Sequence, residues 1–360
     1  MKQPSTSHNA ALRSISTLRS LVVGAAMLSL AACGGASSGT PAASSAPSAS
    51  TSASESSSAS APASSSAPAA GGGTIAIITV DPSNPYWKAE VDTAVAAAKK
   101  LGYKTTTAAH NNKPDEQNTI IETAINDGVK GIVLDPAGAD ESVAAVQKVV
   151  AANIPVVLVN AEISKTGLAK SQIVSNNAQG ASAGAEAWSE AMKYKGTYVE
   201  LLGKPSDNNA QVRSDGYKSV IDQFPDLKRV GKEIANWDRQ EGQEKMEALL
   251  SKNPNIDGVI AGNDEMALGA INALKEAKKL SQVKVLGFDG NQDAANAVKK
   301  GEMVATVLQP IVSATNKAVT QLDSVIKTGK TGVADEKQAI DCVLITKENA
   351  AKLDNFVLTS

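Results

Sequence analysis

The chain has 360 residues, 42% of them apolar, and a formal charge of −2, enough to bury one large core or two medium ones. So balanced a charge carries no electrostatic footprint for nucleic acid. Cys33 and Cys342 are the only cysteines, which excludes a disulfide framework.

Residues 1–32 read as a targeting segment. Lys2, Arg13 and Arg19 precede the apolar run Leu21–Leu30, and no acid occurs before Glu55. The run is short for a membrane span, so a signal peptide is expected. Leu30-Ala31-Ala32-Cys33 resembles a bacterial lipobox. That resemblance implies lipidation of Cys33 and anchoring to the outer face of the cell membrane; an ordinary signal peptide with a chance cysteine is the alternative. Residues 34–73 consist of Ser, Ala, Pro, Gly and Thr, with Glu55 the only charge. Such a stretch cannot offset its ordering entropy and is expected to be a disordered linker, with a reach of roughly 35 Å. With Cys33 lipidated, Cys342 lacks a partner for an intramolecular disulfide and reads as a buried structural thiol.

From Thr74 onward, short β runs alternate with helical stretches. Strands are expected at Ile75–Val80, Tyr103–Ala108, Gly131–Leu134 and Pro155–Val159. Helices are expected at Tyr86–Leu101, Pro114–Asp127 and near Ser142–Ala152. Continuous apolar strands alternating with helices predict a parallel sheet covered on both faces. The pattern then restarts. Gly196–Leu202, Lys228–Ala235, Gly258–Ala261 and Val283–Gly287 read as strands; Ser214–Gln223, Gln240–Ser251 and Met266–Ala277 read as helices. Asn176-Asn177 lies near the seam. A helix follows Gln309-Pro310 to about Ile326, and Ile340–Ile345 reads as strand. The fold class is therefore α/β, with two doubly wound parallel-sheet lobes. The first is expected to hold residues 74–177 and 310–338, the second 178–309 and 339–360. Material left over after the second lobe predicts repeated crossings, which form a hinge.

The polar residues gather at strand ends, where open α/β sheets bind ligands. Ten candidates stand out: Asn84, Tyr86, Trp87, Asp135, Asn160, Arg213, Trp237, Asn263, Asp289 and Gln309. Carboxylates accept pairs of hydroxyls, arginine donates a fork, amides do both, and aromatic faces pack on C–H surfaces. That mixture suits a small polyhydroxylated ligand such as a sugar or sugar alcohol. Taken singly, each polar residue reads equally as a helix cap or turn residue, and Trp237 as core. As a set they carry more weight, because aromatics make up only 3% of the chain and three of them fall here.

From Thr74 to about Val343 the chain resembles the periplasmic binding proteins of the ribose and galactose type, the type 1 fold. The matching segments are Asn84-Pro85-Tyr86-Trp87, Asp135-Pro136, Ile154-Pro155-Val156-Val157, Arg213-Ser214-Asp215-Gly216-Tyr217, Asn236-Trp237-Asp238, Asn263–Ala270, Gly287-Phe288-Asp289-Gly290 and Gln309. Asn-Asp-Glu-Met-Ala-Leu-Gly-Ala followed by Gly-Phe-Asp-Gly is the most specific of these. The resemblance implies two lobes, three crossovers and closure over one ligand. It implies a monomeric, extracytoplasmic solute-binding protein that serves an ABC-type importer and its permease subunits. It assigns the ten candidates as ligand contacts, Asn84, Tyr86 and Trp87 from the first lobe. Two departures stand out. Asp135 falls where the ribose-type pattern has Asn, and Asn160-Ala161 where it has Asp-Arg. They imply a ligand other than ribose: a sugar alcohol, another pentose or hexose, or a cyclitol.

Asp289–Lys300 begins like a calcium loop but has Ala294 and Lys300 at its glycine and glutamate positions. His110 is the body's one histidine and is expected on a solvated loop, which leaves neither a zinc site nor a Ser-His-Asp set. No cofactor is expected. A repressor core of the same build would carry a DNA-binding headpiece where this chain has its leader. A chemosensory or quorum-signal receptor of the same fold is the alternative function. An enzyme on a doubly wound fold would need an activated nucleophile or a Gly-rich phosphate loop after Val80, and neither is visible.

Overall fold

The structure is a computed structural model and describes residues 72–359. The expected signal peptide, the lipidated Cys33 and nearly all of the linker lie outside the described residues. Among those described, no helix is long and apolar enough to cross a membrane.

The first sheet is built from β1 (Thr74–Thr79), β2 (Lys104–Ala109), β3 (Gly131–Leu134), β4 (Val156–Val159), β5 (Ser171–Ser175) and β11 (Lys337–Ile340). Its order is β2-β1-β3-β4-β5-β11, parallel throughout. The second is built from β6 (Gly196–Leu202), β7 (Leu227–Ile234), β8 (Gly258–Ala261) and β9 (Lys284–Leu286), in the parallel order β7-β6-β8-β9. The same local order thus recurs in both sheets, which is the expected repeat of architecture. β10 (Thr306–Leu308) bridges the strand-β9 region and pairs antiparallel with β12 (Val343–Ile345). A short hairpin of β13 (Leu353–Asp354) and β14 (Val357–Leu358) ends the chain.

Strand periodicity explains the layers. In β1, Ile75 and Ile77 face one core while Ala76 and Ile78 face another. α1 (Pro85–Lys100) and α9 (Ile311–Thr328) cover the first face; α2 (Pro114–Asn126) and α3 (Val143–Ala151) cover the second. In β6, Val199 and Leu201 point one way and Tyr198 the other. α6 (Arg239–Lys252), α7 (Asp264–Glu276) and α8 (Gln292–Lys300) lie on the first side; α4 (Asn177–Ala191) and α5 (Asn208–Ile221) lie on the second. Each apolar strand is therefore buried on both faces.

The chain passes between the sheets after β5, after β10 and after β11. The expected single strand Ile340–Ile345 is two strands in two sheets, with Asp341-Cys342 between them. The first sheet therefore runs to Ile340. Cys342 is buried there, its N–H donates to Gln179 Oε1 at 2.9 Å, and burial pushes its thiol up to about 12.

Several elements depart from expectation for physical reasons. β5 is fully buried yet reads Ser-Gln-Ile-Val-Ser. Its Gln172 is satisfied by the Ile163 N–H at 3.0 Å and by Glu336 at 2.8 Å. α4 is made largely of Ala, Gly and Ser, because Gly180 and Gly184 let it approach Cys342, Phe288 and Val307 closely. α5 starts at Asn208 rather than Ser214, so Arg213 lies within the helix instead of at its start.

The glycine of the Met-Ala-Leu-Gly-Ala stretch has a packing role. A Cβ on Gly269 would lie 2.1 Å from the Arg239 carbonyl oxygen, and one on Gly242 2.7 Å from Met266 Cα. α6 and α7 can cross this closely only without those side chains. Gly269→Ala should therefore cost at least about 1–3 kcal/mol of stability by overpacking, read as a lowered urea midpoint with an unchanged slope.

Candidate functional site

Both sheets offer the carboxyl ends of their strands to one cavity. Asn84 lies beyond β1, Asn160 follows β4, Trp237 lies beyond β7, Asn263 beyond β8, Asp289 beyond β9, and Gln309 follows β10. The cavity is lined by nine of the ten expected residues, all but Asp135, and by Asp207 and Asn209. About 260 Å³ is free of atoms, part of it open at the mouth, but a water molecule's centre can range over only about 20 Å³. The latter is far below the roughly 300–1,000 Å³ usual for drug-sized ligands, because the walls stand close on every side.

A closed circuit of hydrogen bonds joins the two halves. The Tyr86 hydroxyl lies 3.0 Å from Asn160 Oδ1 and 3.2 Å from Gln309 Oε1. The Asn160 carbonyl accepts from Asn209 Nδ2 at 3.2 Å, and Asn209 Oδ1 accepts from Asn177 Nδ2 at 2.9 Å. Asn177 Oδ1 accepts from Arg213 Nε at 2.8 Å. Arg213 Nη1 donates to the Gly262 carbonyl at 2.8 Å and reaches Asp289 Oδ1 at 3.4 Å. Gln309 Nε2 donates to the same Asp289 oxygen at 2.7 Å and closes the circuit. Tyr86 has one proton for two acceptors, so one amide oxygen is left for another donor. The indole N–H of Trp87 is buried and lacks a protein partner among the described residues; that of Trp237 is buried beside the Asp207 carboxylate. Buried donors of this kind are paired in folded proteins, which makes them natural partners for ligand oxygens.

Arg213 sits in an aromatic slot, 4.0 Å from the Phe288 ring centre and 5.2 Å from that of Trp237. Burial pushes Asp289 above the usual carboxylate range, and the Arg213 charge and Gln309 amide oppose that shift. Burial also raises the Tyr86 phenol, with the Asp289 charge adding to it. Asp289 takes φ of +128°, Asn160 +67° and Trp237 +69°. Non-glycine residues rarely adopt such angles, and they cluster at working sites when the surroundings hold them. Here Asp264 does the holding for the Asp289 loop. It accepts from the Gly290 and Asn291 N–H groups, each at 2.8 Å, and from Thr306 Oγ1 at 2.6 Å. Trp237 packs against the backbone of Gly203, where a Cβ would fall 2.0 Å from its ring.

Two of the cavity-lining asparagines cap helices. Asn84 Oδ1 accepts from the Tyr86 N–H at 2.9 Å and caps α1, while its Nδ2 remains for the cavity. Asn263 Oδ1 caps α7 through the Met266 N–H at 2.9 Å, and its Nδ2 donates to the Trp237 carbonyl at 3.1 Å.

Two expectations need correction. Asp135 stands behind the cavity wall, where its Oδ2 accepts from Asn160 Nδ2 at 2.8 Å. His110 is fully buried instead of solvated, and its Nε2 lies 2.8 Å from the Asp135 carbonyl oxygen. Burial lowers its pKa and keeps the ring neutral. The sequence reading does not single out Asp207 and Asn209. Their signal was present: Asp207 follows the end of β6, where the strand-end rule applies, and it caps α5 through the Asn209 N–H at 2.9 Å.

Removing one partner of a buried ion pair leaves the other charge uncompensated, at about 3–5 kcal/mol. Arg213 and Asp289 are 4% and 5% exposed. Asp289→Ala should therefore lower the stability of the unliganded protein by several kcal/mol in urea denaturation.

Comparison with known proteins gives a consistent picture. A family model described as a periplasmic binding protein domain matches residues 75–331. The D-apiose import binding protein of Paraburkholderia graminis is 51% identical over 284 residues, covering 79% of this chain and 90% of that one. The xylitol-binding protein of Mycolicibacterium smegmatis is 33% identical over 250 residues, covering 69% and 70%. The solved ABC transporter solute binding protein of Bacillus halodurans with bound myo-inositol superposes with a TM-score of 0.73 at 26% identity, covering 79% of this chain and 98% of that one. With its two parallel sheets, shared cavity and matched length, the chain belongs to the periplasmic binding protein domain family.

Proposed function

We propose that this protein is an extracytoplasmic solute-binding protein that captures D-apiose, a branched pentose, and delivers it to an ABC-type importer. In this reading it acts as a monomer tethered through a lipid on Cys33. The observation that carries it is the cavity: two indole rings facing amides, two carboxylates and a guanidinium from both sheets. Such a shell binds a polyhydroxylated ring and offers no activated nucleophile. The choice of sugar rests on the apiose relative's 51% identity.

Trp87 and Trp237 stack on the sugar faces. Asn84, Tyr86, Asn160 and Gln309 exchange hydrogen bonds with hydroxyls, while Arg213 and Asp289 hold neighbouring hydroxyls from the second sheet. Asn263 supports Trp237, and Asp207 and Asn209 complete the wall. The three passages between the sheets form the hinge, with lobes divided near 177, 310 and 341. Closure is supported by contacts that cross the cleft: Lys204 Nζ reaches the Asn112 carbonyl, and the Ala139 N–H donates to the Ser206 carbonyl at 3.0 Å. A ligand favours the closed form only through contacts made to both sides together.

A thermal-shift series with D-apiose, ribose, xylitol and myo-inositol tests the proposal. Ligand at a hundred times Kd stabilises the native state by about 2.7 kcal/mol, so D-apiose should raise the melting temperature by several degrees, and more than the others at equal concentration. Ribose binding tightest, with D-apiose inert, would overturn it.

A further inference from the structure

Behind Asn160 lie two buried carboxyls whose hydrogen bonds do not balance if both are ionised. Glu90 and Asp135 are each 1% exposed. Glu90 Oε1 accepts from Thr79 Oγ1 at 2.9 Å, and Asp135 Oδ2 accepts from Asn160 Nδ2 at 2.8 Å. Glu90 Oε2 and Asp135 Oδ1 have no donor among the described residues. Asp135 follows Leu134, which pairs with Ile78 in the sheet, so it stands beside Thr79, the residue that holds Glu90, and the two carboxyls neighbour each other behind Asn160. A single proton between the two orphaned oxygens gives all four oxygens a partner.

We propose that Glu90 is a positioning residue for sugar binding: Glu90 and Asp135 share one proton, and this pair holds the Asn160 amide with its nitrogen turned inward and its oxygen toward the sugar. The inference rests on the sugar-binding reading above. Asn160 has only one way to satisfy a carboxylate behind it, by donating from Nδ2. Its Oδ1 is then committed to Tyr86 and the cavity, so the first sheet presents an acceptor to the ligand. Loss of the shared proton sets two anions against each other in a buried space.

The surroundings add to that cost. Tyr86 on α1 and His110 beyond β2 are neutral neighbours. Asp207 faces the pair from the second sheet and raises Asp135 further. Lys204, Glu116, Arg213 and Asp289 are the other charged groups close by, and Arg213 is already engaged by Asp289. Burial pushes Glu90 up to about 8, opposed by its bonds to Thr79 and Asp135, and burial with the Glu90 charge raises Asp135. A raised carboxyl pKa means that the folded state holds protons the unfolded chain has released. The associated stability is complete below the ordinary glutamate range and is lost as the pH rises to about 8.

Calorimetric titration with D-apiose from pH 6 to 9 tests the proposal on wild type, Glu90→Gln and Glu90→Leu. Wild-type affinity should fall at least several-fold toward the alkaline end of the range, as the last proton leaves the pair. Glu90→Gln supplies a fixed N–H donor to Asp135, so it should bind far better than Glu90→Leu and lose the pH dependence. A Glu90→Gln profile that keeps the wild-type slope, or Glu90→Leu binding like wild type, overturns the inference. A second arm needs no sugar. Infrared spectra of the unliganded wild type at pH 7 should show a protonated-carboxyl band that Glu90→Gln lacks; its absence from wild type also overturns the inference. If the band is present but no sugar binds, the proton pair stands and the sugar-binding reading fails.

Discussion

A guanidinium buried between two aromatic rings governs the rest of the site. Arginine cannot shed its charge, so Arg213 must be compensated wherever the fold places it. Phe288 and Trp237 supply ring faces, Asp289 a carboxylate, and Gly262 and Asn177 carbonyl acceptors. Much of the local geometry follows from that demand. Asp289 is held at an unfavourable φ to face the guanidinium, and the Asp264 carboxylate, with three donors, pins the loop that holds it there. Asn177 starts the helix after the first passage between sheets and bonds Arg213, which ties the hinge to the site.

The first sheet shows a different economy. The ribose-type pattern places an amide at 135 and a carboxylate with an arginine at 160–161. This chain has Asp135 and Asn160-Ala161 there, and Asn160 Nδ2 donates to Asp135 Oδ2 at 2.8 Å. The neutral amide of Asn160 lines the cavity, and the carboxylate of Asp135 stands behind it.

The sheets were legible because doubly covered parallel strands are written as apolar runs: Gly131–Leu134, Gly196–Leu202 and Gly258–Ala261 coincide with the observed strands. The cavity was legible for a related reason, since its residues follow those runs directly. What escaped notice was whatever tertiary contacts alone explain. β5 is polar in letters and buried in fact, because Gln172 finds partners far along the chain. α4 buries a stripe of small residues, Ala181 and Ala185 with Trp188, because close approach to its neighbours requires Gly180 and Gly184. The withdrawal of Asp135 and the burial of His110 depend on where loops fold back, and no local pattern records that. Asp207 was masked by its neighbour: the Arg213 motif drew the helix start too far along the chain.

The central claim is that one sugar is gripped from both sheets at once, at the circuit running through Tyr86, Asn160, Asn209, Asn177, Arg213, Asp289 and Gln309. A crystal structure of the protein grown with D-apiose tests it most directly. The account predicts electron density for one sugar ring between Trp87 and Trp237, with hydroxyls bonded to Asn84 on one side and to Arg213 and Asp289 on the other. A sugar bound to one sheet alone, or an empty cavity with the sugar elsewhere, would contradict it.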